Sequence, residues 1–131
     1  MTRMRYEGSC HCGAVTFQVE AEHSVELERC NCSICAKSGY LHLIVPKAQF
    51  QLLTGTDALA TYCFNSGVAQ HYFCTNCGIK PFYVPRSNPD CIDVNVNCLD
   101  SKPEHMTITP FDGQNWEKWA HTLAHKSNPA S

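Results

Sequence analysis

Seven of the chain's ten cysteines fall into three clusters, Cys10-His11-Cys12-Gly13, Cys30-Asn31-Cys32-Ser33-Ile34-Cys35 and Cys74-Thr75-Asn76-Cys77-Gly78. Zinc takes four soft or borderline ligands at tetrahedral corners, with Zn–S near ~2.3 Å. A C-x-x-C turn aims two sulfurs at one ion, and a following Gly tolerates the positive φ that such a turn often needs. Two such pairs make four ligands. The spacing predicts one closed, structural zinc site from Cys10, Cys12, Cys74 and Cys77, joining segments about sixty residues apart. The rival for Cys74 and Cys77 is a thioredoxin-type redox pair, which needs βαβ flanks. The flanks here read as strands.

The middle cluster supplies three thiolates, Cys30, Cys32 and Cys35, and no fourth cysteine follows close by. Three protein ligands with an open fourth position distinguish catalytic zinc from structural zinc. Such an ion would hold water or an incoming thiol, and bound sulfur would be deprotonated at neutral pH. These three residues are the candidate catalytic set. The competing reading closes the site with Cys63, Cys91, Cys98 or His71, and spacing leaves both open.

Other signals are weaker. His11 and His71 lie near metal-type cysteines and read as supporting or surface groups rather than ligands. Asp90 and Asp93 read as solvated residues at a turn and a strand start. Arg86-Ser87-Asn88-Pro89 is a polar loop that either binds a substrate carboxylate through Arg86 or simply turns the chain. No Gly-rich phosphate loop, nucleophilic-serine motif or H-E-x-x-H motif is present.

An even cysteine count also fits a disulfide scaffold. The N-terminal MTRMRYEGSC has no apolar core and no small-residue cleavage site. A cytoplasmic setting is therefore expected, where clustered cysteines are ligands or reactive thiols. The net charge of -2 and the lack of a basic tail argue against direct nucleic-acid binding. No stretch approaches the roughly 18 apolar residues of a membrane span. At 131 residues, 44% hydrophobic and 17% charged, the chain is expected to form a single domain over 1–131.

Short strands must position these cysteines. Ala14–Glu20 alternates Val15, Phe17 and Val19 with polar residues, the period of a half-buried strand. Further strands are predicted at Leu41–Val45, Phe50–Leu53, Thr61–Phe64, Gln70–Cys74, Phe82–Val84, Ile92–Val96 and Met106–Thr109. Asn65-Ser66-Gly67 would turn a hairpin between the fourth and fifth of these eight. Pro81 and Pro85 suggest an edge strand at Phe82. Ser33–Ser38 reads as a short helical turn. Asp112–Lys126 reads as the one clear helix, with Trp116, Trp119, Ala120 and Leu123 on one face and Asn128-Pro129 ending it. That stripe is expected to pack on the sheet rather than serve as a docking surface. The sum is β-rich with a C-terminal helix.

The runs Gly8–Val15, Cys30–Cys35, Phe73–Gly78 and Phe82–Pro89 resemble the glutathione-dependent formaldehyde-activating enzyme family, which includes centromere protein V. The likeness spans about residues 6–120, and the Pro-Arg-Ser-Asn-Pro loop is most similar to the centromere protein V branch. The resemblance implies an Mss4-like, or β-tent, fold of several small coiled antiparallel sheets, stabilised by zinc. It implies two zinc ions, a structural one at Cys10, Cys12, Cys74 and Cys77 and a catalytic-type one at Cys30, Cys32 and Cys35. It also implies carbon–sulfur lyase chemistry of the S-(hydroxymethyl)glutathione synthase type, joining a small thiol to a small carbonyl. The formaldehyde-activating enzymes themselves are longer, so glutathione specificity carries over less firmly than fold and metal sites. The alternative is a non-enzymatic zinc module for protein or chromatin contacts, which would require an inert fourth ligand on the second ion.

Overall fold

Alternation of apolar and polar residues dictates most of the architecture. The computed structural model describes residues 3–63 and 67–127. They form two sheets. The smaller holds β1 (Arg3–Ser9), β2 (Thr16–Glu22) and β5 (Phe50–Thr54), all antiparallel. The larger runs β10 (His105–Phe111), β3 (Ser24–Cys30), β4 (His42–Pro46), β9 (Cys91–Asn95), β8 (Phe82–Val84), β7 (Gln70–Cys74) and β6 (Leu59–Tyr62). Val15, Phe17, Val19, Leu27, Val94 and Val96 are fully buried and form the shared core. Burying each such side chain contributes about 1.5–3 kcal/mol.

The β-rich class is as the sequence predicts, with two departures in pairing. β10 joins β3 in parallel, Phe111 opposite Cys30. A long connection rather than a hairpin links these strands, so the direction of entry is free. The Phe82 strand is internal, between β9 and β7. Its prolines flank the three-residue strand and remove no ladder N–H from within it. The predicted hairpin is β6 against β7, Tyr62 opposite His71. Phe64 and the turn residues Asn65 and Ser66 lie outside the described residues, as do Asn128 and Pro129.

Helix α1 (Ser33–Ser38) ends at Gly39 in the left-handed conformation. The expected C-terminal helix is α-helical only over α2 (Trp116–Trp119), between 3-10 segments Gly113–Asn115 and Ala120–Ser127. The Thr122 hydroxyl donates to the Trp119 carbonyl at 2.7 Å, which favours the tighter winding. The aromatic stripe therefore splits. Leu123 is buried, Trp116 is half-buried, and Trp119 is 39% exposed. No helix among the described residues is long and apolar enough to cross a membrane.

Candidate metal centres

The first cluster forms where the β1–β2 connection meets the end of β7. Cys10 closes that connection by donating from its N–H to the Val15 carbonyl at 3.0 Å, and Gly13 takes a φ of 82°. Cys74 is the last residue of β7, and Gly78, at φ 79°, turns the chain so that Cys77 faces back. All four sulfurs lie within 4.8 Å of one another. Cys10 to Cys12 is 3.6 Å and Cys12 to Cys74 is 3.7 Å. A tetrahedron with Zn–S of ~2.3 Å has edges of about 3.8 Å, so the donor set fits that ion. These separations are far too long for disulfides, and none of the ten cysteines is disulfide-bonded. The N–H of Ala14, then the Asn76 side chain, hold the Cys12 thiol below its usual range. Cys77 is drawn down to about 6, first by the Cys12 N–H and then by that of Ile79. Cys12 and Cys77 thus favour thiolate, whereas Cys74 is pushed up to about 11, because burial and the Cys12 and Cys10 sulfurs outweigh the Cys77 N–H.

The second cluster joins the end of β3 to the start of α1. Cys30 ends the strand, Cys32 is the residue before the helix, and Cys35 lies in its first turn. The three sulfurs lie within 4.8 Å of one another, and no fourth His, Cys, Asp or Glu atom among the described residues shares the group. The Cys30 and Cys35 thiols both donate to Cys32 and hold it well below the usual thiol range, and those two are pushed up in return.

The loop is held from the opposite side. Asn31 donates from Nδ2 to Asp112 Oδ1 at 3.1 Å and accepts from the Gln114 N–H at 3.0 Å. Between them stands Gly113, where a Cβ would lie 2.3 Å from the Cys30 sulfur.

The proposed closing ligands go elsewhere. Cys63 is exposed, and so is His11, which the spacing reads as a supporting or surface group rather than a ligand. The Cys91 sulfur contacts the Asp90 carboxylate at 3.7 Å and the Lys126 carbonyl at 3.9 Å. Cys98 is half-buried, and burial lifts its thiol to about 11. His71 lines the adjoining cavity without joining the three sulfurs. Burial, and then the nearby Lys80 charge, lower its pKa to about 4. Lys80 Nζ sits 2.6 Å from His71 Nδ1.

That cavity has a volume of about 150 Å³. Its floor is a row of polar side chains across five adjacent strands. Glu28 on β3 is opposite His42 on β4, Asp93 on β9 is opposite Tyr83 on β8, and Tyr83 is opposite His71 on β7. All five line the cavity together with Cys30, Cys32 and Cys35. Apolar walls come from Ile44, Phe111, Trp116 and Leu123. At the rim, the Arg86 guanidinium lies 3.8 Å over the Trp116 ring and 3.4 Å from the exposed Glu117. Its neighbour Asn88, 1% exposed, donates to the Leu123 carbonyl at 2.9 Å. The polar loop thus both fastens the C-terminal segment and presents a cation.

Asp90 is exposed, as expected, but Asp93 is not solvated. It is 1% exposed and its Oδ2 is 2.6 Å from Nδ1 of His42, itself 3% exposed. The cause is register. Every residue of β9 is buried, so the strand has no wet face to receive a carboxylate. His42, Glu28 and Tyr83 were not visible as site residues, because nothing in their spacing marks them.

Two all-cysteine clusters on a β-rich frame, one of three thiols beside a cavity, define a protein equipped to hold metal ions. The profile of the glutathione-dependent formaldehyde-activating enzyme family matches residues 5–117, and the chain belongs to that family. It is 29% identical over 125 residues to a Halomonas elongata protein named "Putative glutathione-dependent formaldehyde-activating enzyme", covering 86% of this chain and 80% of that one. It is also similar to a crystal structure of a Rhodobacter sphaeroides protein, with 33% identity and a TM-score of 0.70 over 79% of this chain and 99% of that one.

Proposed function

We propose that residues 1–131 form one zinc domain with carbon–sulfur lyase-type activity, joining or cleaving a small thiol such as glutathione and a small carbonyl such as formaldehyde. The observation that carries this reading is the Cys30, Cys32 and Cys35 trio, which opens on a cavity and has no fourth ligand among the described residues.

A zinc ion at these thiols would supply a Lewis acid and favour the thiolate of an incoming thiol. The chain's own residues do the rest. Ile44, Phe111 and Leu123 exclude water from the cavity wall. Gly113 leaves room at the Cys30 sulfur. Arg86, lying over the Trp116 ring, offers a guanidinium group to a substrate carboxylate. Cys10, Cys12, Cys74 and Cys77 would hold a structural zinc that locks β1 and β2 to β7. Ten cysteines outside disulfides suit a reducing compartment such as the cytoplasm. The non-enzymatic module, suggested by the likeness of the 85–89 loop to centromere protein V, requires a closed second site, and no observation favours it.

Metal analysis and a thiol-adduct assay test the proposal together. About two zinc per chain are expected, with hydroxymethyl adduct forming faster than it does spontaneously. Protein that binds no small thiol and does not accelerate adduct formation would overturn the reading.

A further inference from the structure

We propose that His42 is the proton-transfer residue of this reaction and that Asp93 is its positioning residue. The inference rests on the activity proposed above and goes beyond it by naming the group that moves the proton.

The geometry begins with the sheet. His42 and Ile44 alternate along β4, and Ile44 pairs directly with Asp93 on β9, so the imidazole and the carboxylate share the face that floors the cavity. His42 Nδ1 meets Asp93 Oδ2 at 2.6 Å, and the Tyr83 hydroxyl stands 3.3 Å from the same nitrogen. The Tyr40 hydroxyl donates to the Asp93 backbone carbonyl, fixing the carboxylate's own strand position. An ionised carboxylate accepts hydrogen bonds only, so Nδ1 carries the hydrogen in the neutral ring. That leaves Nε2 with a lone pair, and it is the nitrogen without a partner.

A pair that serves only to fill a core uses up its hydrogen-bonding capacity. This one does not. His42 Nε2 and Asp93 Oδ1 are both buried and both unpartnered among the described residues. Glu28 Oε1, on the strand beside His42, is a third such atom. Three unsatisfied atoms in one short row are unusual in a folded interior, where such groups are nearly always paired. The residues that carry them all border the cavity shared with Cys30, Cys32 and Cys35. The imidazole also lies within electrostatic reach of the Cys32 thiol. The charged or titratable groups facing His42 are Glu28, Asp93, Tyr40, Tyr83, His71 and Cys32.

The step balances without an external reagent. Addition of a thiol to formaldehyde forms one carbon–sulfur bond, opens the carbonyl π bond and moves one proton from sulfur to oxygen. His42 Nε2 takes the proton as the thiol enters and becomes imidazolium beside Asp93. It returns the proton to the alkoxide oxygen as the carbon–sulfur bond forms. In the cleaving direction the same nitrogen takes the hydroxyl proton and returns it to sulfur. The nitrogen that is unpartnered at rest is the one used, and the nitrogen fixed by Asp93 stays fixed.

The test uses the full zinc-loaded chain with glutathione and formaldehyde, comparing wild type with His42→Gln and Asp93→Asn. Nitrogen-15 NMR of wild type should show His42 as the Nδ1–H tautomer, and Asp93→Asn should erode that preference. Both variants should lose about 100-fold or more in kcat. Their zinc content and glutathione binding should stay near wild type, which also reports that they fold. An Nε2–H tautomer in wild type, or variants with unchanged kcat, would overturn the proposal. If a variant is insoluble, the wild-type tautomer decides. Wild type without acceleration would instead sink the underlying activity, whereas active wild type with active variants sinks only the role of His42.

Discussion

Gly113 faces Cys30 so closely that a Cβ on it would stand 2.3 Å from the sulfur, and 2.9 Å from the Cys32 Cβ. A Cβ essentially never approaches a non-bonded atom so closely, so the second cluster depends on a residue more than eighty positions away in sequence. Gly113→Ala should therefore damage that cluster without touching the first. Overpacking of this kind costs about 1–3 kcal/mol. Metal analysis should fall from about two ions per chain to about one, with a folded far-ultraviolet spectrum. Retention of both ions would show that the Asn31 loop relaxes freely, despite its hydrogen bonds to Asp112 and Gln114.

The two clusters should also separate in their consequences for stability. Cys10, Cys12, Cys74 and Cys77 join the small sheet to the large one, and two of them, Cys10 and Cys74, are core residues at 2% and 0% exposure. A structural zinc contributes about 10–16 kcal/mol of apparent binding free energy in small peptides, comparable to the roughly 5–15 kcal/mol net stability of a domain. Cys74→Ser or Cys10→Ser should yield insoluble or unfolded protein. Cys32→Ser lies at a loop between β3 and α1 and should stay folded while losing activity. A strong chelator should mimic both in turn. Equal melting temperatures for Cys74→Ser and Cys32→Ser would contradict the division.

The sequence made the sulfur sites legible because cysteine is rare, and spacings of two or three residues survive any fold. The strands at Gln70–Cys74 and Phe82–Val84 and the helix at Ser33–Ser38 were legible for similar local reasons. Two strands were not. In β1 only Tyr6 and Gly8 are buried, so Arg3, Arg5 and Glu7 mask the alternation. In β3 the pattern breaks at Glu28, which is buried although charged. The polar cavity floor was invisible for a deeper reason. His42 and Asp93 meet across fifty-one residues, and only the β4–β9 register brings them together. Gly113 likewise takes no positive φ, and its Asp-Gly pair signals a turn but no metal site, so its steric role follows from its neighbour alone.

His71 predicts a pH dependence. Burial and Lys80 hold it near a pKa of about 4 in the fold, against about 6.5 in an unfolded chain. Between those values the unfolded state binds the proton and the folded state does not, so stability must fall as pH falls from about 6.5 to about 4. One proton sets a ceiling of about 1.4 kcal/mol per pH unit. Urea denaturation of wild type and His71→Gln across that window isolates the effect. The variant's stability should change less steeply, whatever its absolute value. Parallel slopes would show that His71 titrates normally in the fold.

Lys126 predicts the opposite sign. Its Nζ meets Glu28 Oε2 at 2.8 Å, with both side chains under a tenth exposed, and it also donates to the Glu26 carbonyl. This pair fastens the C-terminal segment over β3, beside the cavity that Glu28 lines. Burial, and to a smaller extent the nearby Asp93 charge, raise the Glu28 pKa, and the Lys126 ammonium is the main force restraining that rise. Lys126→Met removes the restraint and leaves a buried carboxylate without its cation, at a cost of about 3–5 kcal/mol. The Glu28 pKa in the folded variant must then climb further above the unfolded value of about 4.3. The fold would hold a proton that the unfolded chain releases, so the variant must lose stability as pH rises through that interval. Thermal melts at pH 5 and pH 8 should therefore show a larger deficit at pH 8. The double variant Lys126→Met with Glu28→Gln should recover part of the loss and flatten the dependence. A deficit equal at both pH values would mean that Lys126 acts through packing of its stem and not through its charge.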